Sequence, residues 1–122
     1  MRCLIVDDSP QFRDAARDML SRGGIDVVAV AANSAEALRY SAELTPDVAL
    51  VDVELGEESG FELAEQLGRS QAVILVSTYA EQDLAEMIAG SPAIGFVPKI
   101  ALSASAIRDL VADDPVSGPP GR

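Results

Sequence analysis

The stretch CLIVDDSP, residues 3–10, decides how the rest of the chain is read. Cys3-Leu4-Ile5-Val6 is an unbroken apolar run of the kind a parallel sheet buries on both faces. Two carboxylates, Asp7 and Asp8, follow at once. Ser9 and Pro10 then read as an N-cap and a first helical position. Two negative charges ~4 Å apart repel by about 4 kcal/mol at an intermediate dielectric. A strand that ends by pressing two acids together therefore needs a reason for doing so.

Outward from that stretch, strand and helix signals alternate. Phe12, Ala15, Ala16, Met19 and Leu20 recur at helical spacing, and Gly23-Gly24 closes the helix. Residues 25–31, IDVVAVA, read as a second strand. Asn33 caps the next helix, with Glu36 completing a capping box. Ala37, Leu38 and Leu44 are its expected buried stripe, and Pro46 stops it. DVALVD (47–52) is a third strand, followed by a polar loop and a helix over about 59–67. AVILV (72–76) is the fourth strand, and Leu84, Met87 and Ile88 mark a fourth helix. AIGFV (93–97) is the fifth strand, with Pro98-Lys99 at its end. Ala104, Ile107, Leu110 and Val111 mark a last helix over 103–112, and DDPVSGPPGR (113–122) has the composition of a disordered tail or the start of a linker.

Five such units predict an α/β fold, a parallel sheet covered by helices on both faces. Composition narrows the chemistry. At 122 residues the chain is read as one domain, and 48% apolar content is enough for a core. The longest apolar runs are too short to span a membrane, and no basic segment precedes the first of them, so a cytoplasmic location is expected. A net charge of −11 argues against direct nucleic-acid binding. The single cysteine, Cys3, excludes an internal disulfide and reads as a small buried core residue. The absence of histidine removes imidazole acid–base chemistry, Ser-His-Asp triads and His-ligated metals. What remains is carboxylates, hydroxyls and Lys99, the only lysine, with a hard cation such as Mg²⁺ as a partner.

In open α/β sheets the ligand site lies beyond the carboxyl ends of the strands. Here those ends carry Asp7-Asp8, Asp52, Ser77-Thr78 and Lys99. Each alone has an ordinary explanation as a turn residue, helix cap or surface charge. With the first strand central in a doubly wound sheet, they converge on one rim.

The pattern IVDDSP, ALVDVELGEESGFEL, VILVST and GFVPKI resembles the receiver domain of bacterial two-component response regulators over residues 2–112, including Gly60 eight residues past the acceptor. The resemblance implies a flavodoxin-like fold, a doubly wound five-stranded sheet of order 2-1-3-4-5 with five helices and a domain spanning 1–112. It implies that Asp52 is the phosphoacceptor, served by a histidine kinase or a phosphotransfer protein. Asp7, Asp8, Asp52 and the backbone carbonyl of Glu54 are the implied Mg²⁺ ligands, and Lys99 pairs with Asp52 or its phosphoryl group. A bound cation would explain the adjacent acids. Ser77 and Phe96 match the switch positions, and Glu54 and Tyr79 the positions that tune phosphoryl lifetime. The face made by the fourth helix, fifth strand and fifth helix is then the output surface, with phosphorylation-linked dimerisation through the last two helices as a further expectation.

Two positions depart from the pattern: Ile100 follows Lys99 where many receivers have proline, though receivers of regulators with a LuxR-type helix-turn-helix domain often carry a different residue and GFVPK resembles theirs, and Gly56 stands where a proline is frequent. The downstream partner is expected to be another protein, or an output domain beyond this sequence; of the two, a free-standing receiver is the preferred reading. A pseudo-receiver that binds its partner without phosphorylation is the alternative. An aspartyl-nucleophile phosphatase fits less well, because its acids would be spaced as DxD. A flavodoxin-like electron carrier would need a phosphate loop where DDSPQF stands. The chain is therefore not expected to be an enzyme on external substrates.

Overall fold

The structure, a computed structural model, describes residues 1–113. Short apolar runs become the strands β1 (Arg2–Val6), β2 (Asp26–Ala31) and β3 (Val48–Asp52). A two-residue antiparallel ribbon, β4 (Glu54–Leu55) and β5 (Glu58–Ser59), stands apart from the sheet. Strands β6 (Ala72–Ser77) and β7 (Gly95–Pro98) complete a parallel sheet of order β2-β1-β3-β6-β7. Without the ribbon this is the expected 2-1-3-4-5 order. Helices α1 (Pro10–Arg22), α2 (Ser34–Leu44), α3 (Gly60–Leu67), α4 (Ala85–Ala89) and α5 (Ala104–Asp113) link the strands or follow them.

Strand alternation divides the core in two. Cys3, Ile5, Leu50, Ile74 and Val97 face α1 and α5, where Ala16, Leu20, Ala104 and Ile107 are buried. Leu4, Val6, Ala49, Val51 and Leu75 face the other way, against Ala37 of α2 and Leu63, Ala64 and Leu67 of α3. Burial on both faces is why β1 and β3 are apolar throughout rather than alternating. Each fully buried Leu, Ile or Val among them contributes about 1.5–3 kcal/mol.

Register then sets the rim. Val6 pairs with Val51, so the residues that follow, Asp7 and Asp52, leave the sheet side by side. Ser77 pairs with Pro98, and Lys99 comes next.

Several expectations are corrected in detail. In α2, Ala37 is buried as expected, but Leu38 is exposed and Leu44 half-buried; Ser41 takes the inward position instead. Ala37 and Ser41 lie four residues apart on one face, and Leu38 is turned outward by the helical step. Ala15 is likewise exposed on α1. The fourth helical region is a 3₁₀ turn over Glu81–Leu84 followed by the five-residue α4, with no buried residue; Leu84 and Ile88 are half-buried, whereas Met87 is exposed. The fifth strand begins at Gly95 rather than residue 93. The loop after β3 is not simply polar: it holds the ribbon, with Val53 and Leu55 buried and Gly56 supplying the left-handed turn at φ 64°. The last helix runs to Asp113, and the rest of the expected tail, 114–122, lies outside the described residues.

Candidate functional site

Asp7 is fully buried, and its place is fixed three ways. Its amide donates to the Ala31 carbonyl (3.0 Å), Oδ1 accepts from the Ser9 amide (2.8 Å), and its carbonyl accepts from the Arg13 guanidinium (2.7 Å). The Ser9 side chain in turn caps α1 by accepting from the Phe12 amide at 3.3 Å. Asp52, also buried, has Oδ1 accepting from the Glu54 amide at 3.1 Å.

Lys99 sits in the 3₁₀ turn Lys99–Ala101 directly after β7. Its Nζ lies 2.6 Å from Asp7 Oδ2 and donates to Asp52 Oδ2 at 3.0 Å. The Asp7 contact is an ion pair by distance, while Oδ2 of Asp7 has no aligned hydrogen-bond donor. Asp8 is exposed, lining with Asp52, Glu54, Ser77, Thr78 and Lys99 a cavity of about 260 Å³. A larger groove of about 770 Å³, at the opposite end of the sheet around Thr45–Asp47 and Gly68–Ala72, contains none of these groups.

The electrostatics follow from burial and company. Burial pushes the Asp52 carboxyl up and the neighbouring Asp7 charge adds to this, against the opposing pull of the Glu54 amide and Lys99. For Lys99, burial alone would lower the pKa, but the carboxylates of Asp7 and Asp52 against it outweigh burial and the ammonium is held above its usual range. One ammonium against the carboxylates of Asp7, Asp8 and Asp52 leaves negative charge unbalanced.

One oxygen from each of these three carboxylates lies within 4.8 Å of the others. An all-oxygen donor set and an excess of negative charge fit a hard divalent cation such as Mg²⁺.

The remaining expected residues fall around this centre. Ser77 is buried, its Oγ accepting from the Tyr79 amide at 3.0 Å, while Tyr79 itself is about half exposed. Glu54 is exposed beside the cavity. Phe96 is buried and packs within the second core face rather than at the cavity. Thr78, expected with Ser77 at the strand end, lines the cavity, and one neighbour lies outside the expected site: Phe12, whose ring faces Lys99 Nζ 4.4 Å from its centroid. Phe12 stands on the first turn of a helix that starts at the acidic pair, the one signal that placed it near the rim.

A doubly wound sheet with carboxylates and a lysine gathered at its carboxyl rim defines a class of small α/β proteins whose ligand site is the switch-point crevice. The family model of the response regulator receiver domain matches residues 3–112. The chain belongs to that family, the receivers of two-component signalling. It is 39% identical over 82 residues to a protein-glutamate methylesterase/protein-glutamine glutaminase of Halobacterium salinarum, a match covering 66% of this chain and 24% of that protein. A Pseudomonas aeruginosa protein named "putative transcriptional regulator" is 32% identical over 101 residues, 80% of this chain and 49% of that one. The signal receiver domain of NarL from Mycobacterium tuberculosis superposes with a TM-score of 0.82 at 28% identity, covering 93% of this chain and 97% of that domain. The chain thus spans between about a quarter and a half of these two curated relatives. Among the described residues no helix is long and apolar enough to cross a membrane.

Proposed function

We propose that Asp52 accepts a phosphoryl group from a histidine kinase or a phosphotransfer protein, and that residues 1–112 are the unit that does so. The observation that carries this reading is the pairing of Lys99 Nζ with both Asp52 and Asp7 beside a cavity that Asp8 and Ser77 share. A carboxylate oxygen of Asp52 attacks phosphorus in line, and the bond to the donor's leaving group breaks with its electron pair. Lys99, already at hydrogen-bond distance from Asp52, holds positive charge where the transferring oxygens gain negative charge. Asp7, Asp8, Asp52 and the Glu54 carbonyl would hold Mg²⁺, which when bound neutralises charge on the phosphoryl oxygens.

The Ser77 oxygen accepts from its own loop, which leaves its hydroxyl hydrogen to donate to a phosphoryl oxygen. That bond would draw the loop after β6 inward, with Phe96 of β7 as the responding aromatic. Glu54, which lines the cavity, and the exposed Tyr79, two residues beyond Ser77, set how readily water reaches the aspartyl phosphate. The surface of α4, β7 and α5 is the proposed output face for a protein partner, an attached output domain or a second copy of this chain. The reaction is a self-modification rather than turnover of an external substrate.

The test is incubation with Mg²⁺ and acetyl phosphate, followed by rapid quenching and intact mass. A single phosphoryl adduct on the parent, lost with chelator and absent from Asp52→Asn, is expected. An unmodified parent across several donors would instead favour a pseudo-receiver.

A further inference from the structure

Lys99 is the only lysine of the chain, and its side chain is only 14% exposed. An ammonium has three N–H bonds to place. One donates to Asp52 Oδ2 at 3.0 Å, and Asp7 Oδ2 stands 2.6 Å from Nζ as an ion pair by distance. The third electron-rich partner is the face of Phe12, its centroid 4.4 Å from Nζ, within the range of a cation–π contact. The helical stripe made Phe12 a core residue, and one flank of its ring does pack on the first core face.

We propose that Phe12 is a positioning residue, its ring fixing where the Lys99 ammonium stands between Asp7 and Asp52. Lysine is a point charge on a flexible four-carbon stem, so two neighbouring carboxylates alone leave it free to drift toward either. Asp7 is the nearer, and full pairing with Asp7 would draw the ammonium away from the acceptor. The ring closes the side from which water would otherwise solvate the third N–H. Its own position is tied to the acidic pair: the Ser9 amide donates to Asp7 Oδ1, and the Ser9 hydroxyl accepts from the Phe12 amide. One short segment, Asp7 to Phe12, thus supplies both a carboxylate and the aromatic face that hold the same ammonium.

The role in phosphorylation rests on the reading of Asp52 above, and two measurements separate the two. Lysine labelled with ¹³C at Cε gives one signal, because Lys99 has no competitor. Its ε-protons, near the ring face, are expected upfield of the free amino acid in the parent and in Phe12→Tyr, and at the ordinary position in Phe12→Leu. The rate of phosphorylation by acetyl phosphate is expected to fall roughly two- to thirtyfold in Phe12→Leu, the range from a solvent-exposed to a desolvated cation–π contact. It should be restored by Phe12→Tyr, with the Mg²⁺ concentration at half-saturation unchanged in both. A merely structural role would move melting temperature without this split between Leu and Tyr. Unshifted ε-protons in the parent, or a Phe12→Leu variant phosphorylated at the parental rate, would overturn the inference while leaving Asp52 as acceptor. A parent that takes up no phosphoryl group would overturn the Asp52 reading and the positioning role with it, even where the shift is present.

Discussion

Replacing Gly60 by alanine sets two physical effects against each other. Gly60 opens α3, and its φ is not in the left-handed region, so by helix propensity alone alanine should add about 0.5–1 kcal/mol. Packing says the reverse. A Cβ on Gly60 would stand 1.9 Å from the Asp52 carbonyl oxygen and 2.7 Å from both the Asp52 carbonyl carbon and the Val53 Cα. These are backbone atoms of β3 and its exit, in the sheet's centre, so no side chain can rotate away. Carbon–oxygen contacts relax only beyond about 3.4 Å, so the helix start or the Asp52 peptide must move by roughly 1.5 Å. That movement strains the bond from the Gly60 amide to the Val53 carbonyl, 2.9 Å in the parent. Overpacking on this scale costs about 2–4 kcal/mol, at the upper end of its usual range because the clash is with backbone. At about 4 °C per kcal/mol for a domain of this size, the melting temperature should drop by roughly 8–16 °C. Thermal and urea unfolding of Gly60→Ala measure this directly. A variant as stable as the parent, with the same denaturant dependence, would refute the argument that α3 is pressed onto the backbone of the acceptor residue.

Further expectations follow from the charged rim and the core. Mg²⁺ at ten times its dissociation constant should stabilise the fold by about 1.4 kcal/mol, a rise of roughly 5–6 °C that Asp8→Asn reduces; differential scanning fluorimetry with and without chelator would show no shift if the triad binds no cation. Lys99→Met strands the buried Asp7 carboxylate and should cost about 3–5 kcal/mol in urea unfolding, whereas a surface lysine would cost almost nothing. The Lys99 pKa is raised above its usual 10.5, so its stabilisation is complete below that pH and is lost as pH rises through the higher folded value. An alkaline loss of stability present in the parent and missing from Lys99→Met is expected; identical alkaline profiles would contradict the pairing. Burial pushes the Cys3 thiol up to about 12, so Ellman's reagent at mildly alkaline pH should label it only at the rate of unfolding; rapid labelling of the native protein would contradict a buried β1.

Strands were legible because the sheet buries them on both faces, which turns each into a short apolar run that polar residues end abruptly. The site was legible for the same reason: Asp7, Asp52, Ser77 and Lys99 are the first polar groups after buried strands, and parallel register brings such positions to one rim. Helix phase was harder to read. In α2 the inward residues are the small Ala37 and Ser41, and Ser41 is tolerated inside because its hydroxyl meets Gln71 at 2.6 Å, a partner thirty residues away. Hydrophobicity favours Leu38 at that position, and nothing local signals the Gln71 bond. The short α4 keeps only Leu84 and Ile88 half-buried nearby, too few apolar contacts for periodicity to predict its length. The ribbon after β3 depends on Leu55 turning inward around Gly56, in a segment whose composition is otherwise that of a surface loop. Phe12 was readable as apolar; that its ring also meets Lys99 depends on how α1 leaves the rim.

The central claim is that Asp52, and not its acidic neighbours, carries the phosphoryl group. Borohydride reduces an aspartyl phosphate to homoserine, which marks the modified position permanently. The most direct measurement is therefore reduction of the protein quenched from Mg²⁺ and acetyl phosphate, followed by peptide sequencing by tandem mass spectrometry. Homoserine at position 52 alone is the predicted result. Homoserine at position 7 or 8, or at no position in a protein shown to be folded, would contradict the account.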